Sequence, residues 1–256
     1  MPIGQFREEW RVRRGITQLS AAGGSVLAQT YFQRLKNLFG TSLIAYWPMS
    51  ESSGTVSVDY SGNNYNGTYT AVTLGQAGIG DNLTSGSWDG STSYMQPGSG
   101  FLSAINGQLG SILFWVAPTG WTVLGDAFQF FLNGSNLIRC SQNSSGATDR
   151  FEFNYIAGGT TKATSESSGQ TYTTFQHFVL TWSLSADQFI TYKNGAQLGS
   201  TQTGLGTFAA GAFTANQTLV GARITTPTNT LSGRISHFAV LDRVASLPEV
   251  NNVSSV

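Results

Sequence analysis

The chain has 256 residues, of which 12% are aromatic and only 10% charged, with 31 glycines and a formal net charge of zero. At that length a chain buries roughly three quarters of its unfolded surface, enough for one large sandwich or two small domains. So little charge beside so many large apolar side chains excludes a solvated disordered protein, and the glycine and aromatic content describes strands and turns in place of charged helices. No apolar run approaches the roughly 20 residues of a membrane-spanning helix, and no nucleic-acid partner is expected.

Residues 1–42 differ in kind from the rest. Six of the thirteen basic residues lie here (Arg7, Arg11, Arg13, Arg14, Arg34 and Lys36) against Glu8 and Glu9, so a basic arm precedes an acidic body. Val26, Leu27, Tyr31, Leu35 and Leu38 recur near helical spacing and Gly40 stands where a helix would end, which predicts one amphipathic helix over Ser25 to Phe39. A single four-turn helix is marginal in water and needs a surface to pack on. Two surfaces are open to it. Either the helix folds against its own body behind a frayed tail, or the segment is a docking arm on a neighbouring subunit. In the second case Phe6 and Trp10 are anchors, Arg11, Arg13 and Arg14 pair with acidic surface, and Tyr31 and Leu35 join the docking face.

From position 43 to 250 the chain shows short apolar alternations separated by Gly, Ser, Asn and Thr clusters. Ser111 to Val116 places Ile112, Phe114 and Val116 on one face. Phe178, Leu180 and Trp182 alternate in the next clear strand, and Ile190 and Tyr192 alternate in the one after it, which runs into Asn194-Gly195. Asn-Gly between alternating strands predicts a type I′ hairpin, because both turn residues must tolerate positive φ. Ile235 to Leu241 reads as a closing strand. Many short strands with turn signals between them predict an all-β fold, a two-sheet antiparallel jelly-roll sandwich over 43–250 with the helical arm before it and a short C-terminal tail at 251–256.

Four ordered patches carry a family resemblance. They are Tyr46-Trp47-Pro48 with Gly54-Thr55 and Asp59 to Gly67, then Trp88-Asp89-Gly90 with Tyr94, then Phe175 to Trp182 with the Tyr-x-Asn-Gly hairpin, and finally Leu219-Val220-Gly221 with Leu231 to Val244. In these patches the chain resembles the laminin G-like (LamG) jelly rolls of the concanavalin A-like lectin/glucanase superfamily, over roughly residues 43 to 250. The resemblance implies the jelly roll and a calcium ion held by loop carboxylates, amides and carbonyls, a ligand set suited to a hard cation. The candidate ligands are Asp59, Asn63, Asn64 and Asp89. The alternative for Asp59 and Asp89 is an Asx-turn, since each precedes turn residues. Many members carry Asp-Glu where this chain has Ser236-His237, which removes an acidic contribution near the end.

The superfamily also includes glucanases, but a retaining glycosidase needs two carboxylates about 5–5.5 Å apart. The chain holds only six glutamates, and Glu152 in Phe151-Glu152-Phe153 has no acidic neighbour two or four positions away. A non-enzymatic protein is therefore expected. His177 and His237, the only histidines, sit among large apolar residues and read as strand histidines bonded to a neighbour. For glycan binding, exposed aromatics would be the stacking platforms, and the candidates are Trp121, Tyr65 and Tyr155.

The N-terminus offers arginines in place of the apolar stretch of a signal peptide, and Cys140 is the only cysteine, so no internal disulfide forms. Together with the surface-protein fold, these features lead to the expectation of a bacteriophage virion component, assembled in the host cytoplasm and displayed on the virion surface. Its sandwich would dock through the N-terminal arm to capsid or tail proteins or to copies of itself. The competing expectation is a receptor-recognition or tail-fibre module that binds host glycans.

Overall fold

The computed structural model describes residues 30–121, 124–144, 149–172 and 174–256. In chain order these form α1 (Tyr31–Phe39), β1 (Leu43–Trp47), β2 (Val56–Ser57), β3 (Gly67–Thr70), β4 (Thr73–Ala77), β5 (Thr84–Asp89), β6 (Tyr94–Gln96) and α2 (Ser99–Ala104). There follow β7 (Leu109–Pro118), β8 (Leu124–Asn133), β9 (Asn136–Asn143), β10 (Arg150–Ala157), β11 (Thr160–Ser165), β12 (Gln176–Ser183), β13 (Gln188–Lys193), β14 (Ala196–Gln202), β15 (Leu219–Val220), β16 (Ser232–Leu241) and α3 (Leu247–Val253).

The strands make two antiparallel eight-stranded sheets. One runs β14-β13-β12-β7-β16-β5-β4 with β1 also on β16, and the other runs β11-β10-β9-β8-β15-β6-β3-β2. Their facing sides bury Ile112, Phe114 and Val116 of β7, Phe178, Leu180 and Trp182 of β12, and Phe151, Phe153 and Tyr155 of β10. These are the alternations that the sequence predicts, since successive side chains on a strand point to opposite faces. Phe238 stands at the centre, its ring within 6.2 Å of the rings of Trp47, Phe114, Phe128 and Phe130. Each such aromatic contributes about 1.5–3 kcal/mol by leaving water.

The family patches meet in space. Asn194 and Gly195 have φ of 48° and 88°, the two positive values that a type I′ turn requires, and join β13 to β14. Trp88 is buried against Gly221, where a Cβ would lie 1.9 Å from the indole nitrogen at a φ of +89°, so only glycine fits. Gly90 donates its N–H to Leu231 O at 2.9 Å, which ties the Trp88-Asp89-Gly90 turn to the start of β16.

A second apolar layer lies on the outer face of the first sheet. Tyr31, Leu35 and Phe39 of α1 and Val250 and Val253 of α3 pack there on Leu113, Trp115, Val179 and Tyr192. The helix starts at Tyr31, because Thr30 and Gln33 form a reciprocal capping box, Thr30 Oγ1 accepting from Gln33 N and Gln33 Oε1 accepting from Thr30 N. Predicted residues 25–29 lie outside the described residues. Tyr31 and Leu35, assigned to partner docking, are 2% and 0% exposed against their own sandwich, which corrects that assignment: the apolar face of α1 is satisfied within the chain. The C-terminal segment 251–256 packs on the body as well. Val253 is fully buried, and Arg34 Nη1 donates to Asn252 O and Ser255 O at 3.0 and 2.6 Å, so the chain end is pinned under α1.

Candidate functional site

The site forms where β1 and β5 part along one edge of β16. Residues Ser232 to Ile235 of β16 pair with β5, and Phe238 to Leu241 pair with β1. The register against β7 shifts between Ser236 and Ala239, a bulge in which His237 takes a φ of 51°. Bulges re-aim side chains, and positive φ on a non-glycine residue costs energy that the surrounding structure must supply. Here Pro48 O accepts the His237 N–H at 3.1 Å, which anchors the bulge to the segment just past β1.

The bulge aims the His237 ring to the helix side of the sheet, between Tyr46 and Asp81. Tyr46 Oη lies 2.6 Å from Nδ1, and Nε2 lies 3.0 Å from Asp81 Oδ2, off the line of a full hydrogen bond. The tautomer that satisfies both neighbours has Tyr46 donating to Nδ1 and Nε2–H facing the carboxylate. Burial drives the Tyr46 hydroxyl well above its ordinary pKa, reinforced by Tyr31 and Asp81, so it keeps its proton. For Asp81, burial alone would raise the pKa, but the contact with His237 and the Leu83 N–H outweigh it and hold the carboxyl below its ordinary value.

Asp59 builds the opposite wall. Its Oδ1 accepts from the N–H groups of Tyr46 and Ser61, and its Oδ2 accepts from Tyr65 N and Ser61 Oγ, all at 2.8–2.9 Å. Asn63 Nδ2 donates to Ile44 O at 2.8 Å, and Tyr60 N donates to Tyr46 O at 2.8 Å. The loop from Asp59 to Asn66 is therefore strapped along the free edge of β1, and Tyr60 stands beside Tyr46. Phe32 of α1 stacks on Tyr46 at 5.3 Å and 3° and meets Tyr60 edge-on at 5.8 Å.

The result is a pocket of about 400 Å³ lined by Thr30, Phe32, Tyr46, Pro48, Ser50, Tyr60, Asp81, Asn82 and Leu83. Tyr60 and Leu83 are 47% and 39% exposed, so two apolar surfaces are presented to solvent across a carboxylate, an amide and hydroxyls. Met49, with a φ of 59°, joins His237 in bringing two strained residues to this fork, while Asn82, at 69°, takes the left-handed turn conformation that Asn tolerates. Such strain concentrates at ligand-holding sites.

The residues expected from sequence fall elsewhere or take other roles. Asp59, Asn63 and Asn64 share one loop, but Asp89 is opposite Ser232 at the far end of β16, whereas Asp59 binds Tyr46, which pairs with Ala239. Asp89 accepts from Ser91 N, Thr92 N, Thr92 Oγ1, Ser93 N and Ser93 Oγ, donors that hold its carboxyl low against the opposing effect of burial. Both aspartates thus form the Asx-turns of the alternative reading, and the four residues do not converge on a common point. Among the described residues no group of three or more His, Cys, Asp or Glu is placed to hold a metal ion.

Trp121 is half-buried, packed on Phe151 and Tyr172 at 5.5 and 5.8 Å, away from the fork. Tyr65 is half-buried beside Phe101, and its carbonyl accepts the Trp47 indole N–H. Tyr155 is wholly buried, and its hydroxyl donates to Gly107 O at 2.7 Å, so it is corrected from ligand platform to core residue. Phe6, Trp10, Arg11, Arg13 and Arg14 lie outside the described residues. His177 and His237 are both buried and bonded to neighbours, His177 to Ser254 Oγ at 2.8 Å. Sequence reasoning missed Phe32, Tyr60, Asp81 and Asn82. The Gly80-Asp81-Asn82 turn signal was there, but nothing local ties it to His237 far along the chain.

Residues 89–251 match the family model Laminin_G_3 of the concanavalin A-like lectin/glucanases superfamily, more than half of the chain, and the chain belongs to this family. No curated protein matches it. Among solved structures it is similar to Domain 4 of AbnA, a GH43 extracellular arabinanase from Geobacillus stearothermophilus, solved in complex with arabinotriose. There the TM-score is 0.57 at 16% identity, over 84% of this chain and 98% of that one. The botulinum neurotoxin serotype D binding domain gives a TM-score of 0.61 at 16% identity, over 84% of this chain and 51% of that one. Trypanosoma rangeli sialidase in complex with sialic acid gives 0.60 at 12% identity, over 85% of this chain and 33% of that one. The chain spans about half of the neurotoxin binding domain and a third of the sialidase, and at these identities the likeness is one of fold.

Proposed function

We propose that this member of the concanavalin A-like lectin/glucanase superfamily is a non-enzymatic carbohydrate-binding module whose ligand occupies the pocket at the β1–β5 fork. The observation that carries this reading is the pairing of exposed apolar surfaces, Tyr60 and Leu83, with Asp81, Asn82, Ser50 and Thr30 around one cavity of about 400 Å³. A sugar ring has an apolar C–H face and an equatorial rim of hydroxyls, and pockets for such ligands combine a stacking surface with a few placed polar groups. The arabinotriose bound to the AbnA domain, which matches this chain over nearly its whole length, supports a saccharide as the class of ligand.

The disposition of carboxylates supports binding without hydrolysis. Among the described residues Asp81 is the sole carboxylate lining the pocket, whereas glycoside hydrolysis takes two across the scissile bond. Other described carboxylates are engaged elsewhere: Asp126 with Arg223 at 2.8 Å, Glu166 with Lys193 at 2.7 Å and Glu249 with Arg243 at 2.7 Å. Retention on a glycan array by the full chain, lost on Tyr60→Ala with an unchanged thermal melt, is the expected result; retention by the variant equal to that of the parent would reject the site.

A second reading, a virion decoration or tail protein, has the sequence observation of the basic N-terminal segment in its favour. Because α1 packs on its own sandwich, docking in this reading falls to residues 1–29 with Arg7, Arg11, Arg13 and Arg14. Co-sedimentation of the full chain with particles from its source, weakened by Arg11→Glu, Arg13→Glu and Arg14→Glu together, is its expected outcome; equal binding by both would remove it.

A further inference from the structure

Resting on the carbohydrate reading, we infer that the fork pocket selects uncharged saccharides and turns away acidic ones. Its charge decides this. Among the nine described lining residues Asp81 is the only charged group, and none is Lys or Arg. Among the described cations, Arg34 holds the carbonyls of Asn252 and Ser255, Arg234 donates to Ala77 O at 2.8 Å, and Arg243 pairs with Glu249. Lys36 lies over the Phe32 ring at 5.7 Å and lines a different hollow with Gly40 and Asn63. His237 approaches Asp81 from behind, buried at 1% exposure, and does not line the cavity.

Among the described residues, the ligand therefore meets a carboxylate with no lining cation to receive an acid group. Asp81 has a side chain only 7% exposed, with His237 Nε2 3.0 Å from its Oδ2 and Leu83 N donating to its Oδ1 at 3.2 Å, so it acts on the cavity chiefly through its charge. The hydroxyls of a neutral sugar meet that negative charge as donors. The carboxylate of a sialic or uronic acid brings like charge into a partly desolvated pocket, where repulsion is screened less than in bulk water. Asn82 and Ser50 complete the rim with groups that both donate and accept, and Tyr60 and Leu83 face the C–H surfaces of the ring.

The test uses the full chain on an array of matched glycan pairs, each neutral oligosaccharide printed beside its sialylated or glucuronylated counterpart, with Tyr60→Ala and Asp81→Asn run in parallel and their thermal melts recorded. The expected result is at least tenfold stronger retention on the neutral member of each bound pair, loss of that retention on Tyr60→Ala, and a narrowed gap on Asp81→Asn, which keeps the shape and removes the charge. Retention of acidic glycans equal to or above the neutral ones, still lost on Tyr60→Ala, overturns the inference while the pocket reading stands. Absence of any Tyr60-dependent retention overturns both. Should Asp81→Asn melt well below the parent, the salt dependence of the parent's neutral-to-acidic ratio replaces it: a ratio that falls at high salt supports the charge argument, and a ratio indifferent to salt rejects it.

Discussion

The outer faces of the two sheets are finished in opposite ways. On the first sheet β7 and β12 bury both sides of the pleat: Phe114 and Leu180 point into the sandwich, and Trp115 and Val179 point out beneath α1 and α3. On the second, β10 turns Phe151, Phe153 and Tyr155 inward, and the alternate positions, Arg150, Glu152 and Asn154, are polar. An antiparallel sheet normally shows such alternation because one face meets water, so a strand that is apolar on both faces announces a covering layer. The fork pocket belongs to the covered side: Phe32 comes from the covering helix, and His237 is held under it by a 4.6 Å ring contact with Tyr31. The helices thus finish the sheet and also complete the candidate site.

The strongest way to break this contrast is to remove a residue common to both layers' support. Phe238→Ala empties the centre of the sandwich and is expected to cost about 3–5 kcal/mol, read as a shift in the urea midpoint. Leu35→Ala removes a fully buried contact of the covering layer and is expected to cost about 2–4 kcal/mol. Hydrogen exchange should then accelerate in α1 and α3 together while β8–β10 stay protected. If the second sheet loosens equally, the two layers are one cooperative unit and the contrast is only geometric.

A smaller effect comes from His177, fully buried between the layers, with its pKa lowered to about 3 chiefly by burial and secondarily by His237. The unfolded chain takes up a proton near pH 6.5, which the folded chain refuses until about pH 3. Stability is therefore complete above pH 6.5 and falls through this window as pH drops, by up to about 1.4 kcal/mol per unit. His177→Gln is expected to flatten that acid limb in pH-dependent melts; an unchanged slope would place the titration in another group. The smallest effect is expected from Thr30→Ala, which removes the cap of α1 and costs about 1 kcal/mol, seen as faster exchange of the first turn alone.

Much of the sandwich was legible in the chain because its signals are local. Ile112, Phe114 and Val116 alternate, and alternation with period two places them on one face whatever surrounds them. Asn194-Gly195 declares its turn through φ alone. The burial of Tyr155 is legible too, since Phe151, Phe153 and Tyr155 share a parity that puts all three inside. Whether Tyr31 and Leu35 face their own sheet or a partner was not readable from the helix, because an amphipathic face states only that something covers it. The outward Trp115 and Val179, in strands apolar on both sides, were the sequence signal that the cover is internal.

By itself the sequence determined the strand pattern, the hairpin, the family patches and the shortage of paired carboxylates, since each depends on neighbours a few positions apart. Only the tertiary structure decided that Asp59 braces Tyr60 in place of joining Asp89, and that a bulge in β16 turns His237 onto Tyr46 and Asp81. Those groups lie up to 191 positions apart, and what joins them is the pairing of β1 and β5 on one edge of β16, a contact whose register no local propensity encodes.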